Sequence, residues 1–209
     1  ANKTGGDYFD WQVLPDGRVL VSLADVSGHG VGPALVAAVC RAYARASVNS
    51  DETNLGQILD RINALLAEDM PDGRFVTFVG VLLDPERHTA QMVSAGHGPL
   101  FRCLTSRGEI VETDADGIPF GLMPDSEYGP VNEFEMAPGD SVLLVTDGLF
   151  EWPNAAGEAY GLERLRAAIL KNATLTSEQM IRHLYEGANE FVSRVPQEDD
   201  VTIVVVRRR

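Results

Sequence analysis

The sequence predicts an α+β domain in which helices are layered outside β-sheets, and three observations carry that prediction. Several strand-like runs are apolar on both faces, so each must be covered on both sides or packed sheet against sheet. Helix-like segments come in two pairs, one between the first and second strand groups and one late in the chain. The 209 residues, 44% hydrophobic and 23% charged, suit one compact folded unit rather than a disordered chain.

The first strand run, Arg18–Ala24, is entered through the turn Pro15-Asp16-Gly17, where proline presets the reversal and glycine completes it. Pro71-Asp72-Gly73 opens a second run, Phe75–Leu83, closed by Asp84-Pro85. Further strands are expected at Ala90–Ala95, Leu100–Leu104, Asn132–Met136, Ser141–Thr146 and Val201–Arg207. Between the first two runs, Leu35, Val39, Ala42 and Ala46 repeat at helical spacing after Pro33, a residue suited to a first helical turn. Leu55, Ile58, Leu59, Ile62, Leu65 and Leu66 form the stripe of a second helix, with Asn54 and Gln57 spaced as a capping box. Thr176 and Gln179 repeat that device before Met180, Ile181, Leu184, Ala188, Phe191 and Val192, and a shorter helix is expected over Leu162–Leu170. Gly108–Glu127, rich in turns and charges, reads as a mobile flap.

Seventeen Lys and Arg against 31 Asp and Glu give a net charge of −14. That balance argues against nucleic acid or an anionic membrane as partner, because such surfaces are bound by Lys and Arg. No apolar run of about 18 residues is present to span a bilayer, and no basic-then-apolar leader opens the chain. The first residues lead almost at once into a motif, so a domain cut from a longer protein is expected. Cys40 and Cys103 stand far apart without a CxxC and make no disulfide framework, which favours a cytoplasmic location.

The chemistry is signalled by where aspartates fall. Asp25 ends the run Val19–Ala24, Asp147 ends Ser141–Thr146, Asp199-Asp200 immediately precedes Val201–Val206, and Asp7 precedes Tyr8-Phe9-Asp10. Aspartate is depleted in strands and is rarely placed there for stability. Carboxylates at adjoining strand ends, with glycine letting backbone carbonyls approach, make a hard-oxygen cage suited to Mg²⁺ or Mn²⁺. Taken singly, an Asp-Gly pair is more often a turn, as Asp16-Gly17 and Asp72-Gly73 are expected to be.

Gly5-Gly6-Asp7-Tyr8-Phe9-Asp10, Ala24-Asp25-Val26-Ser27-Gly28-His29-Gly30, Ser94-Ala95-Gly96-His97, Thr146-Asp147-Gly148-Leu149-Phe150-Glu151 and Asp199-Asp200-Val201-Thr202 occur in that order. The ordered set resembles the metal-dependent protein phosphatase (PPM) family, in its bacterial SpoIIE-like branch, from about Gly5 to Val206. The resemblance implies an α-β-β-α four-layer sandwich, two packed antiparallel sheets flanked by helix pairs. It implies that residues 1–209 form a single phosphatase domain, the C-terminal catalytic part of a longer protein with an N-terminal sensor or receiver module. It further implies two Mn²⁺ or Mg²⁺ ions, with a third in some relatives. Asp25 would bridge both ions, the Val26 backbone carbonyl and Asp7 would serve one, and Asp147 and Asp199 would complete the other. Asp10 and Asp200 are the candidates for supporting or accessory-metal roles.

On that reading two cations sharing a water lower its pKa and present hydroxide to a phosphoserine or phosphothreonine ester, with Asp25 and Asp147 central to catalysis. His29 is the candidate general acid, four residues after Asp25. His97 reads as a structural hydrogen-bonding residue, and His88 and His183 as surface residues. No arginine stands just before Asp7 to grip phosphate; Lys3 is the cation nearby, and Arg74 and Arg102 are the alternatives. The implied substrate is a phosphorylated protein in bacterial signalling, such as a STAS-type anti-anti-sigma factor in sigma-factor regulation. Two other classes stay open: a catalytically silent phosphatase-fold binding module, and a small-molecule phosphohydrolase, which would need a closed pocket.

Overall fold

A computed structural model describes residues 5–48, 54–70, 73–193 and 195–209. In chain order its elements are β1 (Tyr8–Val13), β2 (Val19–Val26), α1 (Val31–Val48), α2 (Leu55–Asp69), β3 (Val76–Asp84), β4 (Thr89–Ala95), β5 (Leu100–Leu104), β6 (Glu109–Thr113), β7 (Asn132–Glu135), β8 (Ser141–Val145), α3 (Asp147–Phe150), α4 (Leu162–Lys171), α5 (Ser177–Val192) and β9 (Ile203–Arg207). The chain divides into two compact units, Ala1–Gly98 with Ala115–Glu135, and Pro99–Asp114 with Met136–Arg209. Each unit holds one antiparallel sheet: β1-β2-β3-β4-β7 in the first, β6-β5-β8-β9 in the second.

In the first unit, β1 pairs with β2 from Tyr8↔Ala24 to Val13↔Val19, the register being set by the turn at Asp16-Gly17. Tyr8, Leu20, Ala24, Val26, Phe78 and Leu82 point one way, into a core completed by α1 and α2. Gly80 lets α2 seat on that sheet, because a Cβ there would lie 3.1 Å from Leu55 and 3.3 Å from Leu59. The Asn54 side chain caps α2 by accepting from the Gln57 N–H, as the spacing predicts.

Two expectations are corrected in this unit. Helix α1 buries Ala37, Cys40, Ala44 and Val48, whereas Leu35 is 64% exposed and Val39 36% exposed. The helix is apolar on two faces, and the face of small residues packs inward because it allows the closer approach. The segment read as a flap is fastened instead. Phe120 and Val76 exchange backbone hydrogen bonds, and the Asn63 side chain donates to the Met123 and Pro124 carbonyls and accepts from Gly121 N–H. Asp60 accepts from the Tyr128 N–H, and the Tyr128 hydroxyl donates to the Ile118 carbonyl.

In the second unit, α4 and α5 bury Leu165, Ile169, Met180, Leu184 and Ala188 with Phe101, Leu143, Val145 and Leu149 of the sheet side. Thr176 and Gln179 form the complete capping box at the start of α5. The expected strands correspond to β2–β5 and β7–β9, the strand-like Tyr8-Phe9-Asp10 opens β1, and β6 and the short α3 are additional. Pro71, Asp72, Asn49 and Lys3 lie outside the described residues. No helix among the described residues is long and apolar enough to cross a membrane.

Candidate metal centre

Asp25 is the penultimate residue of β2 and is half-buried. Continuing the β1–β2 register by one residue sets Asp7 across from Asp25, and by two residues Gly6 across from Val26. The glycine is required there, because a Cβ on Gly6 would lie 2.8 Å from the Val26 carbonyl oxygen. Side chains alternate along a strand, and Tyr8, Ala24 and Val26 belong to the helix-side core. Asp7 and Asp25 therefore share the opposite face. Directly opposed like charges destabilise a strand pair, and a cation between them reverses that.

The backbone beneath Asp25 is braced by its neighbours. The Thr77 hydroxyl donates to the Asp25 carbonyl at 3.4 Å and is paired with His97 Nδ1 at 3.0 Å. His97 is buried, its N–H donates to Ser94 Oγ, and Ser94 Oγ donates back to the His97 carbonyl. The Ser94–His97 motif thus acts as a strut behind the strand end. Beyond β2, Gly28 (φ +89°) and Gly30 (φ +96°) adopt the left-handed conformation that turns the chain into α1. His29 sits exposed between them.

In the second unit Asp147 is separated from β8 by Thr146 and lies half-buried at the start of α3. Burial raises its carboxyl pKa, and the charge of Asp199 raises it further. Glu151, one helical turn on, is raised by burial and then by both Asp147 and Asp199. Three carboxylates thus share one electrostatic field. Glu151 was not among the predicted site residues, although Asp-Gly-Leu-Phe-Glu places Asp147 and Glu151 at i and i+4, neighbours on one helix surface. The segment carrying Asp199 is held at the end of β8: Thr146 N–H donates to the Thr202 carbonyl at 3.1 Å, and Thr202 N–H donates to Thr146 Oγ1 at 2.9 Å. Any side chain on Gly148 would run into the Asp200 carbonyl. Asp200 itself donates its N–H to Asp199 Oδ1 at 2.8 Å, which orients that carboxylate.

Asp10 lies elsewhere. Three residues from Asp7, it faces α1, where its carboxylate accepts from Arg45 at 2.5 and 2.8 Å, from Arg41 at 3.1 Å and from Trp11 N–H at 2.9 Å. The Arg45 hydrogen bond holds its pKa below the ordinary aspartate value. A cavity of about 860 Å³ lies between α4 and α5, lined among others by Tyr160, Arg164, Lys171 and His183, and contains none of the strand-end aspartates.

Among the described residues no three His, Cys, Asp or Glu side chains converge into a closed metal cage. A closed cage is not what Mg²⁺ requires: it keeps several waters and is typically held by one or two carboxylates. The opposed Asp7/Asp25 pair with the Val26 carbonyl beside it, and the coupled Asp147, Asp199 and Glu151, supply the hard oxygen donors that fit Mg²⁺ or Mn²⁺.

The chain is 25% identical over its whole length to the phosphoserine phosphatase RsbU of Bacillus subtilis (strain 168), of which it covers 61%. It spans less than two thirds of the length of the curated relatives it matches. Among solved structures, the SiaA-PP2C domain of Pseudomonas aeruginosa superposes with a TM-score of 0.85 at 22% identity, covering 98% of this chain and 80% of that one. RsbX, solved in complex with magnesium, superposes with a TM-score of 0.68 at 15% identity, covering 96% and 86%. The two-sheet α+β architecture is therefore that of PP2C domains. With strand-end aspartates in the order read from the sequence, and with the profile of the Stage II sporulation protein E (SpoIIE) family matching residues 15–209, the chain belongs to the SpoIIE family.

Proposed function

We propose that this chain is a Mn²⁺- or Mg²⁺-dependent protein serine/threonine phosphatase that hydrolyses a phosphoserine or phosphothreonine monoester in bacterial partner-switching signalling. The observation that carries the reading is the β1–β2 register, which reaches Tyr8↔Ala24 and, continued by one residue, sets Asp7 across from Asp25, next to a Val26 carbonyl that a Cβ on Gly6 would crowd at 2.8 Å. Asp7, Asp25 and the Val26 carbonyl in the first unit, and Asp147 and Asp199 in the second, are the proposed ligand groups, with Glu151 in the field of Asp147 and Asp199 and with Asp200 orienting Asp199. Divalent ions held there lower the pKa of water and offset phosphate charge. The carboxylates supply that ligand field, the His97–Thr77 strut fixes the Asp25 backbone, and Thr146 holds the Asp199 segment in reach of Asp147. His29 is exposed at the β2–α1 turn, and that exposure is what supports it as the proposed proton donor to the leaving hydroxyl.

A phosphorylated STAS-type anti-anti-sigma protein, the substrate class that the family resemblance implies, is the proposed substrate, and a cytoplasmic setting is proposed with it; the RsbU relative supports only phosphoserine as the group attacked. The test is phosphate release from a phosphoserine protein with Mn²⁺, with EDTA, and with Asp25→Asn plus Mn²⁺. Turnover that requires Mn²⁺ and is lost in the variant supports the reading. A folded, metal-bound sample that releases nothing from phosphoprotein or aryl phosphate would instead leave a binding module, and faster turnover of small phosphates than of phosphoprotein would indicate a metabolite phosphohydrolase.

A further inference from the structure

The loop that carries the chain out of β2 closes on Arg74. The β2–β3 register runs through Asp25↔Thr77 and Val26↔Val76. It continues beyond the strands, where Ser27 N–H donates to the Phe75 carbonyl at 3.0 Å and Phe75 N–H donates to Ser27 Oγ at 3.0 Å. The next step sets Arg74 against Gly28. Its guanidinium donates through Nη1 to the Ser27 carbonyl at 2.8 Å. A Cβ on Gly28 would lie 3.0 Å from Nη1, and one on Gly32 would lie 3.6 Å from Nη2. The two glycines therefore clear a bed for a half-buried guanidinium beside the Asp25 strand end.

Only one of the five N–H donors of Arg74 is used within the described residues, and the side chain forms no ion pair there. That is unexpected in a chain with 31 acidic residues. Its position is also electropositive for a second reason: α1 begins at Val31 and has no acidic residue in its first turn to offset the helix dipole. Arg102, the other arginine considered for this role, does not compete. It pairs with Val142 in the second unit, five residues before Asp147, or about 16 Å along an extended strand. Burial moreover depresses its pKa.

We propose that Arg74 grips the phosphoryl group of the substrate through its Nε and Nη2 donors, while Nη1 stays on Ser27. A planar guanidinium presents paired donors that match two phosphate oxygens. The inference rests on the phosphatase reading above and deepens it by naming a binding residue outside the carboxylate set.

The test compares wild type, Arg74→Ala and Arg74→Lys, all loaded with Mn²⁺. KM and kcat are measured for p-nitrophenyl phosphate, inhibition constants for inorganic phosphate, and Mn²⁺ affinity by calorimetry. Arg74→Ala should raise both KM and the phosphate inhibition constant by about tenfold or more, the loss expected for charge-assisted hydrogen bonds. Its kcat should change less, its Mn²⁺ affinity should match wild type, and Arg74→Lys should recover part of the loss. Unchanged KM and inhibition constants in Arg74→Ala, with an active wild type, would overturn this inference alone. A parallel loss of Mn²⁺ affinity would overturn it too, by making Arg74 a strut for the Ser27 loop. A Mn²⁺-bound wild type that neither hydrolyses the ester nor binds phosphate would sink the phosphatase reading and this inference together.

Discussion

Asp25→Asn should move the melting temperature in opposite directions with and without metal. The β1–β2 register, continued one residue past Tyr8↔Ala24, sets Asp7 across from Asp25, so without metal the two are expected to repel as like charges. Cross-strand pairs of this kind are worth roughly 0.2–1 kcal/mol, and a chain of this size shifts by about 2–4 °C per kcal/mol. Neutralising one partner with a side chain of the same shape should therefore raise the metal-free Tm by about 0.4–4 °C. With metal the sign reverses. A ligand at a hundred times its Kd stabilises by about 2.7 kcal/mol, or roughly 5–11 °C. An amide is a poor substitute for the carboxylate ligand, so Mn²⁺ should raise the Tm of wild type but hardly that of Asp25→Asn. Differential scanning of both proteins in EDTA and in Mn²⁺ gives the four values needed. A variant that melts lower than wild type in EDTA and keeps the full Mn²⁺ rise would show that Asp25 is a structural carboxylate and not a ligand.

Gly148→Ala should displace the Asp199–Asp200 segment, because the new methyl group meets the Asp200 carbonyl; misplacing a reacting centre by about 1 Å can cost about 100-fold, so wild-type phosphate release in this variant would refute the placement. In EDTA the pH profile of stability should peak on the acid side of neutrality. Asp147 and Glu151 have raised pKa values, so their ionised forms cost stability at neutral pH and the cost is relieved as pH falls through those raised values. Asp10 has a lowered pKa, so its contribution is present above the ordinary aspartate value and lost as pH falls through the lowered one. A Tm that falls steadily from pH 8 downwards, unchanged by Glu151→Gln, would contradict the raised values of Asp147 and Glu151. Asn63→Leu strands the Gly121 N–H and removes the bonds to Met123 and Pro124; a buried orphan costs about 1–3 kcal/mol, so faster hydrogen exchange should appear at residues 118–124 and its absence would show that other contacts hold the segment.

What the sequence made legible was whatever a single residue type announces. Runs of β-branched and aliphatic residues located β2–β5, β8 and β9, and capping residues located the starts of α2 and α5. The pairing of Asp7 with Asp25 was also written there, though in a form that needs the register to read: each stands nine residues from Asp16 in the turn (16 − 7 and 25 − 16). Strands β1 and β6 were harder, because Tyr8–Val13 mixes aromatic and polar residues and Glu109–Thr113 is mostly polar. The phase of α1 was illegible in principle. Val31, Leu35 and Val39 make as good a stripe as Ala37, Cys40 and Ala44, and only the close approach of the sheet selects the smaller set. Asn63 was hidden for a similar reason, since it sits inside the apolar stripe of α2 and its partners lie about sixty positions away in sequence. Glu151 stands four residues after Asp147, a spacing the sequence does contain, but its burial and the charge of Asp199, which comes from a distant segment, are not in any local pattern.

Helix α1 touches both strands that carry the first carboxylate pair, and the contacts differ in kind. Its N-terminus grows directly out of the Asp25 strand through the Gly28–Gly30 turn, with Ala34 N–H donating to the Gly30 carbonyl. Its last turns hold β1 through Arg41 and Arg45, which close on Asp10, three residues from Asp7. Both arginines are about half exposed, with side-chain exposures of 51% and 47%, so water screens the pair and its loss should cost little stability. The mechanical effect should exceed the energetic one. A helix tied to Asp25 at one end and to the Asp7 strand at the other cannot rotate without changing how those carboxylates face each other. Asp10→Asn should therefore weaken Mn²⁺ binding several-fold although Asp10 faces away from the proposed ions. Mn²⁺ should in turn slow hydrogen exchange in 41–48 of wild type more than in the variant. Exchange in α1 that ignores Mn²⁺ in both proteins would show that the helix and the carboxylate pair are uncoupled, and that Asp10 serves stability alone.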